Sequence, residues 1–364
     1  MTKAVLHLQD GTTWEAESFG APLASSGEVV FSTGMMGYPE GLTDPSFKGQ
    51  ILTLTYPIVG NYGVPERTLW EADKLMVSGL IVSDYIDTPS HFQSAHTLGQ
   101  WFKDEGLPLI QIKDTRKLTQ HLRENGSVLG KIEIDKPTKY YDPNKENLVE
   151  QVSTREIQYY PSKNPKAKTI VLIDCGTKRN IVRSLRRRHV SVVVIPWDFD
   201  PFTTEGQATL KEVTKNDRMF DGLFISNGPG DPTYVMKTIE TIKKSMDMKL
   251  PTMGICLGHQ LLTLAAGGGT GKLKYGHRSQ NQPCIMEGTP RCYITTQNHG
   301  FAVENYPTGF NKWFTNANDQ TNEGIIHTKL PFMSVQFHPE ATPGPYDTEW
   351  LFDYYLERID AWKK

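Results

Sequence analysis

Short apolar runs, apolar on both parities, recur through the second half of the chain. Thr169-Ile170-Val171-Leu172-Ile173, Ser191 to Ile195 and Gly222-Leu223-Phe224-Ile225 carry this mark of strands buried on both faces. Between them, apolar residues spaced three or four apart predict helices from Asn180 to Arg188 and from Val235 to Lys244. Such alternation predicts an open, largely parallel α/β sheet with flanking helices, whose sites gather at the carboxyl ends of the strands. Up to about Glu150 the pattern differs. Apolar runs there are short and separated by Gly, Pro, Asp and Ser, which predicts a smaller β-rich α+β domain with one amphipathic helix around Leu118 to Arg123. A polar stretch from Lys131 to Lys166 separates the two patterns. The expected organisation is therefore a first domain over 1–150, a linker over 151–167 and a second domain over 168–364.

The chemistry concentrates where one short strand, Leu250-Pro251-Thr252-Met253, runs into Gly254-Ile255-Cys256-Leu257-Gly258. Gly-x-Cys-x-Gly is the thiol form of the nucleophile elbow, in which a strand turns sharply into a helix and presents its reactive side chain at the apex. His259 to Ala266 reads as that helix, and Gly267-Gly268-Gly269 ends it. A helix N-terminus and a nearby imidazolium lower a thiol's pKa from its usual value of about 8.5. The N–H of Leu257 is placed to serve as an oxyanion donor. Free cysteines are more often small buried apolar residues, and the elbow is what sets Cys256 apart from that reading.

A base and its orienter come later in the chain. Phe332 to Phe337 alternates like a strand and delivers His338-Pro339-Glu340. Residues two apart in an extended chain share a face, so imidazole and carboxylate are expected side by side, the carboxylate fixing the tautomer. His259 also lies near Cys256 in sequence, but at a helix start it need not face the sulfur, and His338 is the preferred base.

These two motifs resemble the class I (triad) glutamine amidotransferases, which share Gly-Ile-Cys-x-Gly-x-Gln and His-Pro-Glu. The loop Ser226-Asn227-Gly228-Pro229-Gly230-Asp231-Pro232 is similar to that family's glycine-rich loop. Thr296-Gln297-Asn298-His299-Gly300-Phe301 and Asp174-Cys175-Gly176-Thr177-Lys178-Arg179-Asn180-Ile181 resemble one branch, the small subunits of carbamoyl phosphate synthetases. So do Phe31 to Tyr38, Leu42 to Ser46, Thr55-Tyr56-Pro57, Gly60 to Gly63 and Asp114-Thr115-Arg116 in the first domain. Pro39 stands where that branch has glutamine, and Gly276 to Asn281 is a variant loop.

The resemblance implies Cys256 as nucleophile, with His338 and Glu340 completing the triad. It implies L-glutamine as substrate, contacted by Ser46, Gly228, Gly230, Leu257, Gln260, Asn298, Gly300 and Phe301. It also implies a large synthetase subunit as partner, holding the ATP and magnesium, with no cofactor or metal expected in this chain. A stand-alone amide hydrolase and a non-catalytic glutamine-binding regulator are the alternatives.

Length and charge narrow the rest. At 364 residues the chain can hold two cores. A net charge of −2, from 39 basic and 41 acidic residues, gives no reason to expect nucleic acid or a membrane surface as partner. The four cysteines show neither Cys-x-x-Cys spacing nor a disulfide framework. With no apolar segment of membrane-spanning length, a soluble, cytoplasmic protein is expected. Ala266 to Lys272 approaches a phosphate-binding loop, but Leu273 stands at the Ser/Thr position and the segment follows a helix. The arginines of 183–188 read as cations closing a helix.

Overall fold

The computed structural model describes residues 2–217 and 219–363, which form two compact units. The first comprises the chain up to Leu148 together with Leu273–Gln280; the second comprises Val149–Lys272 and the chain from Asn281.

In the first unit a closed barrel runs in the order Thr2–Leu8, Thr13–Ser18, Leu109–Gln111, Gly79–Val82, Gln50–Leu54, Ser25–Ser32, Val128–Glu133. Strand parity sorts its side chains. Val29, Ile51, Ile81 and Ile110 join one cluster with Leu6 and Ile132, whereas Val30, Leu52, Leu80 and Leu109 join another with Trp70, Trp101 and Phe102. The amphipathic helix is longer than its apolar spacing indicates, Thr115–Asn125, because Asp114 caps it by accepting from the Lys117 N–H at 2.9 Å.

The second unit is built on a ten-stranded sheet among the described residues. At its heart Ser191–Pro196, Thr169–Asp174, Gly222–Ile225, Thr252–Ile255 and Phe332–Val335 lie side by side and parallel. Alternate residues again face opposite layers. Ile170, Leu172, Val192, Val194, Phe224 and Met253 pack on Ile181 and Leu185 and on Phe352 and Tyr355 of the helix Trp350–Trp362. Val171, Ile173, Val193, Ile195, Leu223 and Ile225 pack on Ile239, Ile242, Leu257 and Leu261 from the helices Met236–Asp247 and Leu257–Ala265. Both faces are therefore covered, which is why these strands read as unbroken apolar runs.

Several expectations shift on this framework. Residues read as a linker carry the strand Gln158–Tyr160, which pairs antiparallel with Val192–Val194 inside the second unit. A three-residue strand offers too short a pattern to announce itself. Gly269 begins the long strand Gly269–Met286 and does not extend the helix stop. The alternating run from Phe332 is strand only as far as Val335. The arginine cluster is tied into the fold, with Arg187 and Arg188 reaching Glu349 and Asp353 of the C-terminal segment. No helix of the described residues is long and apolar enough to cross a membrane.

Tyr355, fully buried, donates its hydroxyl to the carbonyl of Leu223 at 2.9 Å. Tyr355→Phe removes that donor while keeping the ring, so unfolding free energy is expected to fall by about 1–2 kcal/mol. Urea denaturation followed by tryptophan fluorescence measures it.

Candidate functional site

Three neighbouring parallel strands end at one place. Ser226-Asn227-Gly228 follows Gly222–Ile225, Cys256 follows Thr252–Ile255, and His338 follows Phe332–Val335. Cys256 is the N-cap of the helix Leu257–Ala265 and holds φ 53°, ψ −104°. A non-glycine residue in such a conformation costs about 1–3 kcal/mol and persists only where its surroundings over-determine it. Here its N–H donates to Val335 at 2.9 Å, while its carbonyl accepts from the N–H of His259 and of Gln260. The helix crowds the neighbouring strand: a Cβ on Gly258 would lie 2.4 Å from the Ile225 carbonyl oxygen. Leu257 is the first helical residue, so its N–H is among the donors that a helix start leaves without an intrahelical partner. The sulfur is almost wholly buried and donates weakly to the Asn298 carbonyl at 3.7 Å.

His338 and Glu340 are both buried and joined through Nδ1 and Oε1 at 2.7 Å. The pleat does not bring them together as the sequence pattern led us to expect. Residues 338–341 form a turn in which the Ala341 N–H donates to the His338 carbonyl, and that turn folds carboxylate onto imidazole. Burial alone would lower the His338 pKa. The Glu340 carboxylate and the Cys256 sulfur override it and push it up to about 10. His338 Nε2 makes no hydrogen bond of ordinary geometry, and the sulfur acts on the ring by proximity and charge. This leaves Nε2 available for a proton passing between the sulfur and a ligand.

Glu340 has a second partner that sequence reasoning did not single out. The Lys178 ammonium, itself buried, lies 3.1 Å from Glu340 Oε1 and donates to the Ala341 carbonyl at 2.6 Å. Burial would raise the Glu340 pKa; Lys178 and then His338 outweigh it and bring it down to about 2. Asn180 Nδ2 donates to the Glu340 carbonyl. The signal for Lys178 was present in Asp-x-Gly-x-Lys-x-Asn-Ile, but a lysine at a strand end reads as a surface cation until its burial is seen.

The expected ligand contacts divide. Gln260 stands one helical turn beyond Cys256, with Nε2 donating to the Phe301 carbonyl at 2.8 Å and to Gln336 Oε1 at 3.0 Å. His299 Nδ1 also lies 2.7 Å from the Phe301 carbonyl; Asn298, Gly300 and Phe301 all belong to the strand Cys292–Asn305, whose Asn298 carbonyl is the one beside the sulfur. Gly228 adjoins Leu257, since a Cβ there would lie 2.1 Å from the Cys175 carbonyl oxygen and 2.8 Å from Leu257 Cδ2. Gly230 follows in the same loop at φ 84°. Ser46 belongs to the first unit, in the turn Pro45–Phe47, where its N–H donates to Asp44. His259 is fully buried, bonded through Nδ1 to Ser334 Oγ at 2.9 Å, and burial pushes its pKa down to about 3. It is a neutral structural residue and no base for Cys256.

The arrangement is a buried charge relay: an ammonium, a carboxylate, an imidazole and a thiol in sequence, beside a helix start whose Leu257 N–H has no intrahelical partner. Such a set can carry out nucleophilic acyl transfer.

Comparison with known proteins places this site in context. The family model "Glutamine amidotransferase class-I" matches residues 171–358, and "Carbamoyl-phosphate synthase small chain, CPSase domain" matches residues 6–132. The arginine-specific small chain of carbamoyl phosphate synthase from Neurospora crassa is 43% identical over 379 residues, covering 99% of this chain and 81% of that one. Its counterpart from Eremothecium gossypii is 43% identical over 383 residues, covering 100% and 93%. The multifunctional protein CAD of Squalus acanthias is 48% identical over 371 residues, covering 97% of this chain. This chain spans only 16% to 21% of the length of that protein and of the fungal multifunctional proteins it matches.

Removing one member of a buried ion pair strands the other, so Lys178→Met is expected to destabilise the second unit by about 3–5 kcal/mol. Without the ammonium the Glu340 pKa rises, and the acidic limb of any Cys256-dependent reaction moves to higher pH; a pH–rate profile checks it. The raised His338 pKa gives the opposite dependence. The stabilisation it represents is full below the ordinary histidine value of 6.5 and is lost as pH rises toward about 10. The stability gap between wild type and Glu340→Gln should therefore narrow from pH 7 to 10, as measured by chemical denaturation at both values.

Proposed function

The chain belongs to the carbamoyl-phosphate synthase small-chain family, with a class-I glutamine amidotransferase domain, and from that premise we propose that it is the glutaminase component of a carbamoyl phosphate synthase. The observation that carries the reading is the intact relay, with Lys178 holding Glu340 ionised, Glu340 holding His338 and His338 serving Cys256.

In this reading the Cys256 thiolate attacks the side-chain amide carbon of L-glutamine. Negative charge on the tetrahedral oxygen meets the N–H of Leu257 and the Gly228 loop. The imidazolium of His338 gives its proton to the departing nitrogen, leaving a γ-glutamyl thioester and ammonia. Water, deprotonated by the same ring, then releases glutamate and the thiol. Ser46, Gly228, Gly230, Leu257, Gln260, Asn298, Gly300 and Phe301 are the proposed glutamine contacts.

Ammonia becomes ammonium in neutral water and ceases to be a nucleophile. A synthetase partner that takes it along a sheltered path, and that holds the ATP and magnesium, completes the reaction with bicarbonate. Relatives in which this sequence is one part of a much longer multifunctional chain support such a partner. The free cysteines Cys175, Cys256, Cys284 and Cys292 suit a reducing, cytoplasmic setting.

Cys256→Ala tests the reading directly. Glutamine-dependent carbamoyl phosphate synthesis by the assembled enzyme is expected to fall by at least about 10³-fold, as for loss of a nucleophile, while ammonia-dependent synthesis persists. Undiminished glutamine use by the variant overturns the proposal. Glutamine hydrolysis without any synthetase partner in cells would favour a stand-alone hydrolase, and binding without turnover a regulator.

A further inference from the structure

The basic end of the helix Arg179–Arg187 borders a cavity that the Cys256 chemistry does not use. Its volume is about 430 Å³, within the roughly 300–1,000 Å³ of small-molecule sites. Lys163, Arg183, Arg186 and Arg187 line it together with His189, and no carboxylate does so among the described residues. Pro161 and Val190 supply apolar wall.

Closing a helix does not account for this gathering. Arg188 performs that task, its Nη1 donating to the Ser184 carbonyl at 3.1 Å, and Arg188 lies outside the cavity lining. Lys163 comes from another segment, just past the edge strand Gln158–Tyr160, where the helix dipole gives no reason for a cation. The cluster is also held in place. Ser162 donates through Oγ to the His189 carbonyl at 2.6 Å and through its N–H to Ser191 Oγ at 3.0 Å, which pins the segment carrying Lys163 against the helix end. The Arg186 guanidinium lies over the Tyr160 ring, 5.3 Å from its centroid. Arg187 Nη2 donates to Ser184 Oγ at 3.0 Å and to Glu349 Oε1 at 3.1 Å, so one of the four charges has a carboxylate near it. Like charges brought to one concavity repel each other and concentrate positive potential there. An anion in the cavity relieves both.

We infer that this cavity binds a small anion bearing phosphate groups, at a site separate from Cys256. An arginine fork matches phosphate oxygens two at a time, and three forks with an ammonium suit an ion of two or more negative charges. The apolar wall leaves room for an organic part. Nucleic acid is a poorer match, because a strand needs cations in a row along one face, and here they converge on one hollow. Lys178 is the N-cap of this same helix, so the relay lies at its other end, about 14 Å away for nine residues.

Isothermal titration calorimetry of the full chain, at about 150 mM salt and without added metal, tests the inference with inorganic pyrophosphate and with ADP. One-site binding with a Kd below about 1 mM is expected. Arg186→Ala should weaken it by about tenfold, the loss of a charge-assisted contact. Arg186→Lys keeps the charge without the fork and should fall between that variant and wild type. Lys163→Ala should weaken binding in the same direction. Both side chains are exposed, so these variants are expected to fold, which circular dichroism checks. Lys243→Ala removes an exposed cation outside the cavity and should change the Kd by less than about twofold. Tighter binding of ADP would identify an organic phosphate as the ligand, and tighter binding of pyrophosphate an inorganic one; either supports the site. No saturable binding of either anion up to about 10 mM, or equal weakening by Lys243→Ala and Arg186→Ala, overturns it. A single-stranded oligonucleotide bound more tightly than both anions would also overturn it, in favour of a nucleic-acid surface.

Discussion

A carboxylate with no access to water has to be paid for in charge, and Glu340 is that carboxylate. Removing an ion from water costs several kcal/mol unless opposite charge and hydrogen bonds replace the solvent. Lys178 at 3.1 Å and His338 at 2.7 Å are the replacements. They differ in kind: one is the ammonium of a buried lysine, the other an imidazole able to pass a proton on. Of the two, Lys178 does more to hold the Glu340 pKa down against burial, and His338 adds to it. Cys256 lies at the far end, where its sulfur joins Glu340 in raising the pKa of the ring.

The sheet supplies the geometry that this electrostatics requires. Lys178 follows the strand Thr169–Asp174, Cys256 follows Thr252–Ile255 and His338 follows Phe332–Val335, all within one parallel array. Parallel strands deliver their carboxyl ends to one edge, so residues far apart in sequence are collected without long loops. Local strain is confined to the apex, where Cys256 takes φ 53°. Helix packing that tolerates no Cβ at Gly258 holds that apex in place.

Much of this was legible in the sequence, for identifiable reasons. Doubly covered parallel strands produce continuous apolar runs, so Thr169 to Ile173 and Gly222 to Ile225 declared themselves. The elbow was visible because glycines at 254 and 258 bracket a cysteine. Less visible were features that depend on tertiary context. Lys178 is a cation whose importance lies in its burial. Gln336 looked like one polar position of an alternating strand, whereas the strand ends at Val335 and its side chain turns inward to Gln260. Gln158–Tyr160 was read within a linker because so short a strand has no period to detect. The pairing of His338 with Glu340 was expected from the pleat, yet a turn achieves it; the sequence constrains which residues meet more tightly than how the backbone brings them together.

The central claim is that Cys256 is a nucleophile activated by this relay toward glutamine. Mass spectrometry of the protein after exposure to an electrophilic glutamine analogue, with and without glutamine present, tests it most directly. A single adduct on Cys256, suppressed by glutamine, is the expected result. Labelling spread over Cys175, Cys284 and Cys292, or labelling of Cys256 that glutamine does not suppress, would contradict it.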